Sequence, residues 1–166
     1  MPGPHELYLV RHGVAEQRGD AWPDDSKRPL TAQGTMRFRK AARRLAGFGV
    51  SIDVVLTSPL VRARQTADIL ASAFDAHVVT SEALAPGGSH QAILAELEKQ
   101  SKRSSLALVG HEPDIGQLAA RLCGARHALE FKKGAICRID VETLPPGNPG
   151  ALRWFIPPRM LRALGR

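Results

Sequence analysis

The sequence predicts an α/β protein: a three-layer sandwich with a mostly parallel central sheet, helices on both faces and a C-terminal antiparallel hairpin at one side. Short strand-like runs recur four times, at residues 7–10, 53–57, 77–80 and 106–109, as buried strands do when bounded by glycine or polar residues. Stretches with helical spacing follow each of them, and strand alternating with helix implies a parallel sheet covered on both sides. Residues 135–141 and 152–156 alternate apolar with polar instead, and the Pro-Pro-Gly-Asn-Pro-Gly run between them is a rigid turn.

The chain has 166 residues, 43% hydrophobic and 23% charged, with a formal net charge of +7. These are the proportions of a globular protein, and the length suits a single domain over residues 1–166. No apolar run approaches the roughly 20 residues that cross a bilayer, and the N-terminus with Pro2, Pro4, His5 and Glu6 does not resemble a signal peptide. A cytoplasmic location with no membrane association is the expectation. The positive charge favours anionic partners without choosing among them. Cys123 and Cys137 belong to no close-spaced motif and read as small buried hydrophobes ahead of a disulfide or a metal site.

The first strand runs directly into Arg11, His12 and Gly13. In open parallel sheets the ligand crevice forms at the carboxyl ends of the strands. The loop that follows, residues 14–29, carries Glu16, Asp20, Asp24 and Asp25; it is longer than most connections and is either a rim over the strand ends or a plain surface loop. Thr31 caps the first helix, in which Phe38, Ala41, Ala42 and Leu45 make one apolar face before Gly47 and Gly49 end it. Arg37, Arg39, Lys40, Arg43 and Arg44 lie off that face, as a solvated surface or a nucleic-acid patch. After the second strand, Ser58 and Pro59 read as a helix cap and a first-turn proline. Ala63, Thr66, Ala67, Leu70 and Phe74 form the buried stripe of that helix, and Arg62 sits in its first turn. An arginine at a helix amino end makes an anion site more probable than the helix alone would.

The third strand, residues 77–80, is placed at or near an edge, with a loop from Ser81 to Gly88 after it and a third helix over residues 90–99. A basic, serine-rich link leads to the fourth strand. That strand repeats the opening theme by delivering Gly110, His111, Glu112 and Pro113 at its carboxyl end. Ile115, Leu118, Ala119 and Leu122 supply the next helix, closed by Gly124, and the basic tail from Pro157 reads as a short helix.

A parallel sheet brings the ends of strands one, two and four to one rim, so that Arg11, His12, Arg62 and His111 converge. Two guanidinium forks and two imidazoles suit a doubly charged phosphoryl group. One of the histidines can attack phosphorus. It must be neutral to do so, and nearby cations lower its pKa. The product would be a phosphohistidine, later opened by water. Metal-based phosphate chemistry wants clustered carboxylates or closely spaced histidines, and an arginine-rich rim repels a divalent ion. Neither a metal nor another cofactor is expected.

Four motifs now stand in order: Leu-Val-Arg-His-Gly at 9–13, Arg-Pro-Leu-Thr-Ala-Gln-Gly at 28–34, Ser-Pro-Leu-Val-Arg-Ala-Arg-Gln-Thr-Ala at 58–67 and Val-Gly-His-Glu-Pro at 109–113. Together they resemble the histidine phosphatase superfamily, which also holds the cofactor-dependent phosphoglycerate mutases. The short length, the Arg-Pro-Leu-Thr stretch and the run from Glu82 to Pro86 are most similar to its small bacterial branch, the SixA-type phosphohistidine phosphatases. The resemblance spans about residues 7–157. It implies His12 as nucleophile, Arg11 and Arg62 as the grip on phosphate, and His111 as the residue that completes the pocket. Glu82 occupies a place comparable to the proton-donating carboxylate of larger relatives and is a candidate for that role.

The implied substrate is a phosphohistidine on a protein or, as the rival reading, a small phosphorylated metabolite. A mutase is disfavoured because the chain lacks the long insertions that close such sites. A basic binding protein for nucleic acid or an acidic partner is the reading from another class. It leaves the two strand-end histidines without a purpose and lacks interleaved aromatics, which are only 5% of residues.

Overall fold

The computed structural model describes residues 4–164. One six-stranded sheet runs through them in the order β3-β2-β4-β1-β5-β6. Its strands are β1 (His5–Arg11), β2 (Val54–Thr57), β3 (His77–Thr80), β4 (Ser105–Gly110), β5 (Ile136–Val141) and β6 (Ala151–Ile156). The first four are mutually parallel, whereas β5 runs antiparallel to β1 and β6 antiparallel to β5. The expected sandwich and side hairpin are both present, and β3 forms one edge of the sheet.

The helices are α1 (Ala32–Ala46), α2 (Val61–Phe74), α3 (His90–Lys99), α4 (Asp114–Cys123) and α5 (Pro158–Ala163). They divide between the faces according to the two-residue period of the strands. Leu7, Leu9, Val54, Leu56, Leu106 and Leu108 face α3 and α4, packing on Ile93, Leu97, Ile115 and Leu118. Tyr8, Val10, Val55, Ala107 and Val109 point the other way, onto Phe38 and Leu45 of α1, Leu70 of α2 and Leu161 of α5. Burial on both faces is why β1, β2 and β4 carry apolar residues without alternation.

Thr31 caps α1 through its side chain, accepting from the Gly34 N–H, and Gly124 closes α4 in the left-handed conformation, φ 72°. One boundary departs from expectation. Ser58 and Pro59 do not open α2; the helix starts at Val61 behind Leu60, which offers no side-chain cap. The Ser58 hydroxyl accepts instead from the Leu60 N–H at 3.2 Å, closing a local turn that competes with capping. Cys123 is half-buried, Cys137 is buried, and both are free thiols. Gly165 and Arg166 of the basic tail, and Pro2 at the other end, lie outside the described residues. Among the described residues no helix is long and apolar enough to cross a membrane.

The loop over residues 14–29 is tied down at both feet. Ala15 bridges Leu30, Thr31 donates its N–H to the Val14 carbonyl at 3.0 Å, and the Gln65 side chain of α2 accepts from the Leu30 N–H at 2.8 Å. Gly34 lets α1 approach this loop, since a Cβ there would run into the Val14 carbonyl. A short 3-10 turn, Asp25–Lys27, then carries Asp25 over the ends of the strands. The loop is therefore a rim.

Candidate active site

Register places the carboxyl ends of β1, β4 and β2 together: Arg11 pairs with Gly110, and Val109 with Thr57. A cavity of about 460 Å³ opens there, lined among others by Arg11, His12, Arg62 and His111. The structure thus brings these four expected residues to one place, from the ends of two strands, β1 and β4, and from the first turn of α2. The His12 and His111 rings stand 5.2 Å apart at 55°.

The turn after β1 is fastened from several sides. His12 donates its N–H to the Gly110 carbonyl at 3.1 Å, and Gly134, at φ 82°, donates to the carbonyls of Arg11 and His12 at 3.0 and 2.9 Å. The Gly13 N–H donates to Thr66 Oγ1 at 3.1 Å, and that hydroxyl donates in turn to the Arg62 carbonyl at 2.8 Å. These bonds fix the His12 backbone relative to both β4 and α2.

His12 Nδ1 lies 2.7 Å from the Gly13 carbonyl oxygen. A carbonyl only accepts, so the ring proton is on Nδ1 and the lone pair of the neutral imidazole is on Nε2. His12 is only 6% exposed, and its pKa falls from 6.5 to about 3. Burial is the main cause, opposed by the Gly13 bond; His111, Arg62 and Arg11 lower it further. Cations were expected to keep this imidazole neutral, and they contribute, but desolvation leads. His111 is pushed down to about 4, again by burial first and then by Arg62. Its Nε2 is 2.7 Å from Ser58 Oγ.

Both arginines are held without being used up. Arg11 donates an Nη1 hydrogen to the Phe131 carbonyl at 2.8 Å. Arg62 donates to the Asp25 carbonyl at 2.9 Å and to its carboxylate at 3.0 Å. Arg28 donates to the same carboxylate at 2.8 Å and to the Glu16 carbonyl at 2.7 Å. The Asp25 carboxyl is held below the usual carboxylate range, chiefly by the Arg28 hydrogen bond. Among the described residues four buried side-chain nitrogens or oxygens lack a partner, and three of them, Arg11 Nε, Arg62 Nε and His111 Nδ1, belong to residues that line this cavity.

Glu82 stands elsewhere. It is exposed in a 3-10 turn, Glu82–Leu84, and is not among the residues lining the cavity; Glu16, Asp25 and Glu112 supply its carboxylates. Reasoning from sequence passed over Asp25, Arg28 and Lys133, which line the cavity, and Ser58, which touches His111. Arg28 opens one of the quoted motifs, so a signal for it existed. Ser58 likewise opens a quoted motif, whereas Asp25 and Lys133 carry no signal, because acids and lysines in polar loops are common.

A family model described as histidine phosphatase superfamily (branch 1) matches residues 7–86. An uncharacterized protein of Picosynechococcus sp. is 44% identical over 136 residues, covering 79% of this chain and 82% of its own. The phosphohistidine phosphatase SixA of Escherichia coli is 32% identical over 163 residues, covering 95% and 96%. The chain belongs to the histidine phosphatase superfamily. Within the superfamily it resembles the SixA branch in shape as well: a solved structure of the protein histidine phosphatase SixA complexed with tungstate superposes with a TM-score of 0.83, at 28% identity, covering 94% of this chain and 99% of that one. This histidine phosphatase superfamily member therefore shares both sequence and architecture with SixA along nearly its whole length, and it is a phosphatase.

Proposed function

We propose that the protein hydrolyses phosphohistidine side chains of other proteins, without a metal, through a covalent phosphoryl intermediate on His12. The observation that carries this reading is the set of three buried nitrogens without a protein partner, on Arg11, Arg62 and His111, around a neutral imidazole. A buried polar group without a partner costs about 1–3 kcal/mol, so residues carrying three of them around one cavity suit an occupant with several oxygens. A phosphoryl group supplies them. The SixA relative that binds tungstate, a tetrahedral oxyanion, supports the same inference.

In the first step His12 Nε2 attacks phosphorus, and the bond from phosphorus to the substrate imidazole nitrogen breaks. The guanidinium Nε–H groups of Arg11 and Arg62 take the equatorial oxygens. Ser58 Oγ accepts from Leu60, and the mechanism assigns its hydrogen to His111 Nε2, 2.7 Å away. That leaves the His111 proton on Nδ1, available to a third oxygen. The departing imidazole takes a proton from water. In the second step water attacks the phosphorus on His12, inorganic phosphate leaves, and the lone pair returns to Nε2. An imidazole departs with little acid help, and the exposed position of Glu82 agrees with a reaction that makes small demands on a donor.

The test is a rapid-quench experiment with a phosphohistidine peptide, a phosphoserine peptide and para-nitrophenyl phosphate, in the presence of chelator. Acid-labile phosphate should appear on His12, and His12→Ala should lower turnover at least about 10³-fold. Faster turnover of the small ester than of the phosphohistidine peptide would favour the rival substrate class. Absence of labelled His12 during steady turnover would overturn the intermediate.

A further inference from the structure

A second concavity, of about 170 Å³, lies between α1 and the start of α5, with Gly13 and Phe38 in its floor. Five cations ring it: Arg37, Lys132, Lys133, Arg159 and Arg162. Lys133 lines this groove and the catalytic cavity alike. Gly134, next in the chain, is the residue whose N–H holds the carbonyls of Arg11 and His12. The groove and the nucleophile are therefore joined by one short piece of backbone.

No carboxylate lines the groove, and among the described residues none of the five cations has an ion-pair partner. Elsewhere on the molecule Arg64 pairs with Asp68, Lys99 with Glu96, and Arg138 and Arg153 with Asp140. Mixed signs are the usual state of a solvated surface, and an unbroken single-sign cluster is costly through self-repulsion. Arg162 registers that cost. It is half-buried and its basicity is lowered, by burial first and then by the charges of Arg37 and Arg159. A groove of this composition fits an extended anionic ligand.

We infer that the groove docks an acidic segment of the phosphoprotein whose modified histidine enters the catalytic cavity, the two being bridged past Lys133. The inference rests on the phosphohistidine reading and adds to it a recognition element: Asp or Glu residues flanking the phosphorylated side chain. Complementary charge of this kind raises the encounter rate and orients the partner.

The test uses two phosphohistidine peptides, one flanked by Asp and Glu and one by Ser and Gly, together with para-nitrophenyl phosphate and an unphosphorylated acidic peptide carrying a fluorophore. Wild type should process the acidic peptide with kcat/KM about ten-fold above the neutral one, and 0.5 M salt should erase the difference. The double variant Arg37→Glu, Arg159→Glu should lose that preference through KM while keeping turnover of para-nitrophenyl phosphate within about two-fold. Retained ester turnover shows that the variant is folded. Fluorescence anisotropy of the unphosphorylated peptide gives an independent readout, with binding expected to wild type and lost in the variant. If that binding holds while neither phosphohistidine peptide is hydrolysed, the groove stands and the substrate reading falls. Equal binding to both proteins, or no acidic preference in wild type, overturns the inference. So does tighter binding of a DNA duplex that the same variant abolishes, which would assign the groove to nucleic acid.

Discussion

Asp25 holds a position that charge alone does not explain. A carboxylate inside the proposed phosphate site would repel substrate, yet here it hydrogen-bonds two guanidinium groups, those of Arg28 and Arg62. Its bonds fall on the Nη1 and Nη2 of Arg62, leaving Nε free. On the proposed mechanism Asp25 orients the fork. Asp25→Asn is expected to lower kcat about ten-fold while inhibition by inorganic phosphate does not weaken, because orientation is lost but net positive charge rises. A matching fall in phosphate affinity would show that the carboxylate builds the binding site itself. Ser58 is a second positioning residue. Ser58→Ala should cost about ten-fold in kcat and Ser58→Thr should recover most of it, since either hydroxyl can fix the His111 tautomer. Arg11, His12, Arg62 and His111 were legible in the sequence because each sits at a fixed offset from a strand end or helix start. Asp25 was not, since its role depends on how a sixteen-residue loop folds back, and loop residues of that type are usually solvated.

At the scale of elements, the legible features were those written as periodicity. The apolar runs of β1, β2 and β4 and the faces of α1 and α4 announce burial directly. The start of α2 was misread because Ser-Pro is a common helix opening, and only tertiary structure shows the serine turned toward a histidine from another strand. Thr66 was legible as a buried position but not as a bond. Its hydroxyl couples α2 to the turn that carries His12, accepting from the Gly13 N–H. Thr66→Val keeps the shape and leaves that N–H buried without a partner, at a cost of about 1–3 kcal/mol. Denaturant unfolding measures the loss, and kcat should fall with it. A variant destabilised but fully active would separate this bond from catalysis.

For the molecule as a whole, the two buried imidazoles tie stability to pH. His12 and His111 ionise near 3 and 4 in the native state, against 6.5 in an unstructured chain. Above pH 6.5 both states hold these rings neutral and the two groups add no pH dependence. Below it the unfolded chain takes up protons that the native state refuses, so stability drops as pH falls from 6.5 toward 4. The slope approaches about 1.4 kcal/mol per pH unit for each histidine. Urea unfolding at pH 7.5, 6 and 5 checks this, and the double variant His12→Gln, His111→Gln should flatten the curve. A wild-type curve already flat over that range would contradict neutral burial. The rim has a consequence of a different kind. Its feet are pinned to α1 and α2 by bonds that the strand-end residues do not share, whereas its tip near Gly19 and Asp20 is exposed. Lengthening or shortening the tip on the far side of Asp25 is expected to change which substrates reach the cavity while the Arg62–Asp25 contact stays in place, so loop exchange can diversify the clientele of one reaction.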